Sequence, residues 1–216
     1  MTTDTAAGLA SGLYALGVVS VFGVRTWLHL RRTGSTGYRG LSGAVGSAQW
    51  WGGVLFAAAV VLGAAGPTLA AAGIGPQPVD LPTAPRWVGL LIAVLGFVAV
   101  LVSQSAMGTA WRIGVDPGER TSLVTAGAFA LVRNPVFTAM IAALTGVTLL
   151  APTAVTLAAL VCLVLAVELQ VRAVEEPYLG AVHGEQYAHY AARVGRFLPG
   201  VGLRRNPATT RAEHAR

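Results

Sequence analysis

The chain has 216 residues, of which 54% are hydrophobic and only 11% charged, where a soluble domain carries roughly 25% charged residues. The formal net charge is +6 and every basic residue is an arginine; these arginines fall between apolar runs, so the charge reads as membrane topology and not as a nucleic-acid-binding face. A single cysteine, Cys162, excludes a disulfide framework within the chain and, inside an apolar run, reads as a small packing residue.

A helix needs about 20 apolar residues to cross the hydrocarbon core. No basic segment precedes the first apolar run, where Asp4 is the only early charge, so this run is expected to be retained as a helix and not cleaved as a signal peptide. The first crossing is expected over residues 7–30 and the second over 45–74, with Gly66 and Pro67 ending or kinking the second. A loop with Pro76, Pro78, Pro82 and Pro85 follows, then a third crossing over 86–111. Residues 112–134 are polar and hold Asp116, Glu119, Arg120 and Arg133. The fourth run, 135–150, is short; a turn at Ala151, Pro152 and Thr153 leads into the fifth, 152–169, so the last two form a helical hairpin. Residues 173–194 are helix-compatible but too charged to cross, and are expected to form a cytoplasmic or interfacial helix stopped by Pro199 and Gly200. Residues 200–216 read as a disordered tail. The fold expected is an all-α polytopic membrane bundle of about five transmembrane helices plus that C-terminal helix.

The arginines orient the bundle. Arg31, Arg32 and Arg39 follow the first crossing, Arg112, Arg120 and Arg133 the third, and Arg172, Arg193, Arg196, Arg204 and Arg205 the fifth. The opposite loops hold only Arg86. The positive-inside rule then puts the N-terminus outside and the C-terminus in the cytoplasm, as for a bacterial cytoplasmic membrane. A four- or six-helix count would strand one basic segment on the wrong side.

Two segments concentrate the polar residues. Asn134 and Pro135 suit the cap and first turn of a helix, whose free N–H groups, with Arg133 beside them, could take a carboxylate or phosphate. Glu168, Arg172, Glu175 and Glu176 stand three and four residues apart, on one helix face where they can pair. Near a membrane boundary such groups are either functional or simply solvated pairs, and the residues alone leave both readings open. Trp50, Trp51, Trp87 and Trp111 read as interfacial anchors, and Gln104 as an interhelical hydrogen bond. His29, His183, His189 and His214 form no metal-ligand pattern, and no phosphate loop, zinc spacing or dinucleotide fingerprint stands in a convincing context.

Together the two segments resemble the C-terminal half of the isoprenylcysteine carboxyl methyltransferase family, which is related to membrane phospholipid methyltransferases. Leu123, Val124, Thr125, Gly127 and Phe129, then Arg133, Asn134, Pro135 and Phe137, follow the family's first motif. Glu175, Glu176, Leu179, His183, Gly184, Tyr187 and Tyr190 follow its second, across the hairpin. The resemblance covers residues 121–199. It departs where Asn134 replaces a histidine, Phe129 and Phe137 replace tyrosines, and His183 replaces a phenylalanine. Asn can hydrogen-bond but cannot titrate, so cofactor binding survives at that position and proton transfer does not.

The resemblance implies an integral membrane, S-adenosylmethionine-dependent methyltransferase. Residues 1–110 would supply three crossings, 111–199 the cofactor region and 200–216 a tail. Thr121, Ser122, Leu123, Val124, Phe129, Arg133, Asn134, Pro135, Val136 and Phe137 would line the cofactor site. Glu175 would face the cofactor, and Arg172 would hold the methyl acceptor; these two are the implied catalytic residues. The acceptor would be lipophilic, with a carboxylate, thiol or amine as the accepting atom, and would arrive from the bilayer. No metal and no nucleic acid is implied, and the oligomeric state stays open. Two other readings remain: a non-catalytic membrane protein with a degenerate pocket, and a nicotinamide-dependent reductase of the sterol type.

Overall fold

A computed structural model describes residues 1–36, 43–107 and 123–204. α1 (Thr3–Val18) passes through a π-helical turn (Val19–Val24) into α2 (Arg25–Thr33). α3 (Ala48–Ala71) and α4 (Thr83–Ala106) follow, then the hairpin of α5 (Pro135–Leu150) and α6 (Ala154–Leu169). A second π-helical turn (Gln170–Glu175) carries α6 into α7 (Glu176–Arg193). Four helical runs are long and apolar enough to cross a membrane, Thr3–Thr33, Ala48–Ala71, Thr83–Ala106 and Ala154–Arg193, and Pro135–Leu150 is a shorter apolar helix. The protein is a helical integral membrane bundle whose apolar elements coincide with the five runs expected.

Local chemistry starts these helices. Ser47 caps α3 by accepting from the Trp50 N–H at 3.2 Å. Thr153 and Thr156 cap α6 reciprocally: each side-chain oxygen accepts the other's backbone N–H, at 3.1 and 3.0 Å. One expectation fails. α3 neither ends nor breaks at Gly66 and Pro67 but runs on to Ala71. Both residues are buried in the bundle, and a Cβ at Gly66 would lie 2.5 Å from Thr156 Cγ2. Neighbouring helices hold the proline turn in place, which a membrane bundle allows.

The crossings pack through small residues. On α4, Gly89, Ala93, Gly96 and Val100 are buried, while Leu91, Leu95, Val98 and Val102 stand exposed on the other side. A Cβ at Gly146 of α5 would lie 2.3 Å from the Ala93 nitrogen, and one at Gly96 2.5 Å from the Ala143 nitrogen. Large apolar side chains thus face lipid and small ones face protein, because backbone approach and not hydrophobicity holds membrane helices together. α3 meets α6 in the same way, with Ala59 and Ala159 fully or almost fully buried.

The two ends of the bundle differ. At the end where α3 leads into α4, Val79 N–H donates to the Pro152 carbonyl at 2.9 Å, tying the proline loop to the hairpin turn. Arg86 there donates to the Met1 carbonyl (2.9 Å), Thr3 Oγ1 (2.8 Å) and Asp80 (2.6 Å). The opposite end carries α2, the start of α5, and α7.

Candidate functional site

The site is assembled where the start of α5 meets the chain beyond α7. Gly127, at φ 61, opens a 3-10 turn (Gly127–Ala130) that buries Phe129. The chain then pairs with residues 195–197. Val132 bridges Gly195, Arg133 N–H donates to the Gly195 carbonyl at 2.8 Å, and Asn134 N–H to the Arg196 carbonyl at 3.1 Å. Thr138 Oγ1 donates to the Phe197 carbonyl at 2.9 Å. Gly195 has to be glycine here, since a Cβ would lie 2.0 Å from the Leu198 carbonyl oxygen.

A buried ion cluster locks this junction. Arg133 Nη2 donates to Glu176 Oε1 at 2.8 Å and to the Gly202 carbonyl at 3.1 Å, and Nη1 to the carbonyls of Val194 (2.6 Å) and Ala191 (3.0 Å). Arg196 grips the same carboxylate with two parallel bonds, Nε to Oε1 at 2.8 Å and Nη2 to Oε2 at 2.9 Å. Hydrogen bonding to Glu176 holds the Arg196 guanidinium above its usual pKa. The Tyr190 hydroxyl donates to the Phe129 carbonyl at 2.6 Å, and Leu123 packs against Tyr187, Tyr190 and Ala191. The two polar segments, far apart in sequence, therefore form one unit.

Most of the candidate residues fall in or beside this unit. Leu123 and Val124 are half-buried, Phe129 and Pro135 buried, and Val136 and Phe137 half-buried under the start of α5. Thr121 and Ser122 lie outside the described residues. Arg133 is turned inward into the ion cluster. Asn134 occupies the cap position of α5, but its side chain makes no capping bond; Nδ2 instead donates to the Arg196 carbonyl at 3.2 Å. The extended partner strand competes successfully for the amide.

The expected shared face of Glu168, Arg172, Glu175 and Glu176 is not what forms. Arg172 pairs with Glu168 on an exposed surface, with its own side chain 59% exposed. A π-helical turn follows, and the twin glutamates at its end point in different directions, as successive helical residues do. Glu176 is consumed by Arg133 and Arg196, while Glu175 stays half-buried and accepts from Gln170 Nε2 at 3.4 Å. Arg196, read only as a topology signal, and Tyr190, read only as a motif residue, were not among the candidate site residues. Their partners lie 20 and 61 residues away, and only a buried glutamate's need for cations hinted at the first. α7 is broken at Gly184, whose φ of 51 and ψ of -122 are non-helical, and not at Pro177, which sits harmlessly in its first turn. Among the described residues, no group of three or more His, Cys, Asp or Glu could hold a metal.

Residues 84–186 match the phospholipid methyltransferase family. The match takes in nearly all of α4, the hairpin, Glu175 of the second π-helical turn and the first part of α7 with Glu176, and it agrees with the kinship that the two motifs suggest. No curated protein and no solved structure matches the chain. The family match on a bundle of apolar helices implies a membrane methyltransferase.

Proposed function

We propose that this membrane methyltransferase takes its methyl group from S-adenosylmethionine and passes it to a lipophilic acceptor at the cytoplasmic face of a bacterial membrane. One observation carries the reading: the Arg133–Glu176–Arg196 cluster draws both motif segments into a single unit at the start of α5. The positive-inside rule orients that unit toward the cytoplasm, where the soluble cofactor is. Residues 1–110 serve as the membrane frame and 111–199 as the cofactor region, onto which residues 200–204, expected as part of the tail, fold back through the Gly202 carbonyl and the Arg204 N–H.

The residues present fit a cationic cofactor. Glu175 is a half-buried carboxylate of the second motif segment, and Phe129 and Phe137 are aromatic residues of the first. When bound, S-adenosylmethionine supplies an electrophilic methyl carbon whose bond to sulfur breaks as the acceptor's lone pair forms the new bond. Glu175 balances the cofactor's positive charge, and Leu123, Val124, Asn134, Pro135, Val136 and Phe137 form its walls. Arg133 contributes by fixing the segment and not by direct contact. Arg172 orients the acceptor from the membrane boundary. Such a transfer needs alignment and exclusion of water more than proton relays, so Asn134 in place of a titrating residue does not disable it.

Calorimetric titration of S-adenosylmethionine into the purified protein tests the reading. Saturable binding is expected, weakened about tenfold or more in Glu175→Gln, the loss of one charge-assisted contact. Unchanged affinity in the variant would remove Glu175 from the site. Binding of NADPH in place of S-adenosylmethionine would favour the reductase.

A further inference from the structure

The chain beyond α7 makes a turn whose side chains the methyltransferase reading does not use. Leu198 and Val201 close it, with the Val201 N–H donating to the Leu198 carbonyl at 3.1 Å. Pro199 and Gly200 fill its two central positions, and Gly200, at φ 73, suits the second of them. Main-chain groups hold the turn from behind. The Arg196 N–H donates to the Val201 carbonyl at 2.7 Å, Arg133 Nη2 to the Gly202 carbonyl at 3.1 Å, and the Arg204 N–H to the Ala191 carbonyl at 2.9 Å. Phe197 packs against the main core cluster of the bundle. Leu198, Val201 and Leu203, by contrast, are left 58%, 59% and 48% exposed. Three large apolar side chains uncovered within six residues of a hydrogen-bonded turn mark an interaction surface.

Depth identifies what covers them. Thr138 Oγ1 donates to the Phe197 carbonyl at 2.9 Å, so the segment is fastened to the first turn of α5. That turn also carries Val136 and Ala139, which pack with Val100 of α4. α4 still faces lipid at this level: Val98 and Val102, on either side of Val100, are exposed apolar residues of a crossing. The segment therefore stands beside the last apolar turns of a membrane helix and not above them. We infer that Leu198, Val201 and Leu203 form a wedge inserted among the lipids of the leaflet at the site end of the bundle, at the boundary between acyl chains and head groups. Arg193 and Arg204 are exposed at the two ends of the segment, where long cationic side chains can reach lipid phosphates while their stems stay in apolar surroundings. The inference holds for either orientation of the bundle and whatever the methyl donor. It ties the leaflet to the site, because the carbonyls of Val201 and Gly202 are held by Arg196 and Arg133, the two arginines that grip Glu176.

The test uses the full chain in nanodiscs of phosphatidylcholine and phosphatidylglycerol, with Cys162→Ala as the background. Leu198→Cys, Val201→Cys and Leu203→Cys each replace an exposed side chain, and Glu185→Cys, at an exposed polar position of α7, is the reference in water. A charged, water-soluble thiosulfonate should react with the three wedge thiols about tenfold or more slowly than with the reference, since apolar surroundings suppress the attacking thiolate. A bimane attached at the same three positions should be quenched by lipids brominated near the glycerol end of the acyl chain and spared by aqueous iodide, with the reverse at position 185. Reaction as fast as at the reference overturns the inference, because the turn then stands in water. Slow reaction without quenching by brominated lipid overturns it too, because protein and not lipid then covers the turn.

Discussion

Arg86 and Arg133 are buried at opposite ends of the bundle, and their partners differ in kind. Arg86 joins the Met1 carbonyl, Thr3 and Asp80, and the Asp80 side chain is 89% exposed. Arg133 meets Glu176, whose side chain is 9% exposed, and three main-chain carbonyls, with Arg196 closing on the same carboxylate. Water can replace Asp80 at little cost, but nothing can replace Glu176 without leaving two guanidinium groups facing each other. The Arg86 end stitches the chain start to a loop. The Arg133 end fixes the geometry of both motif segments, and a methyl transfer that depends on alignment needs that kind of support.

Substitutions can test that contrast. The largest effect is expected from Glu176→Ala, which strands buried charge and should cost about 3–5 kcal/mol, read as a large fall in melting temperature together with loss of S-adenosylmethionine binding. Arg86→Ala removes three hydrogen bonds near water and should cost about 1–3 kcal/mol, with cofactor affinity retained; a loss of affinity as large as that of Glu176→Ala would erase the distinction between the ends. Tyr190→Phe leaves the Phe129 carbonyl without its donor and should cost about 1 kcal/mol, with a modest weakening of cofactor binding that locates it at the site end. Asp80→Asn should change stability by less than about 1 kcal/mol; a larger change would mean that Asp80 anchors Arg86 much as Glu176 anchors Arg133.

The crossings were legible because each is a long apolar run closed by turn or charge signals, and the hairpin because Pro135, Pro152 and Thr153 punctuate it. The partners of Glu176 were not, since its cations come from 43 residues before and 20 after, and no spacing rule spans such distances. The π-helical turns were equally hidden: a helix with one extra residue per turn has the same composition as one without. Glu175 and Glu176 looked equivalent, yet successive residues of a helix point in different directions, and Glu176 is the one that meets Arg133 and Arg196. Pro67 misled because helix-breaking rules learned in water weaken where neighbouring helices hold the backbone.

The length of α5 has a consequence for depth. With sixteen residues it measures about 24 Å, short of a hydrocarbon layer about 30 Å thick, whereas α3 and α4, with 24 residues each, measure about 36 Å. The hairpin turn is moored to the far end through Val79 and Pro152, so the shortfall collects at Arg133. α5 is thus about 12 Å shorter than α4, the helix it packs against, and under the proposed reading that missing length is where a molecule dissolved in the bilayer would meet one arriving from water.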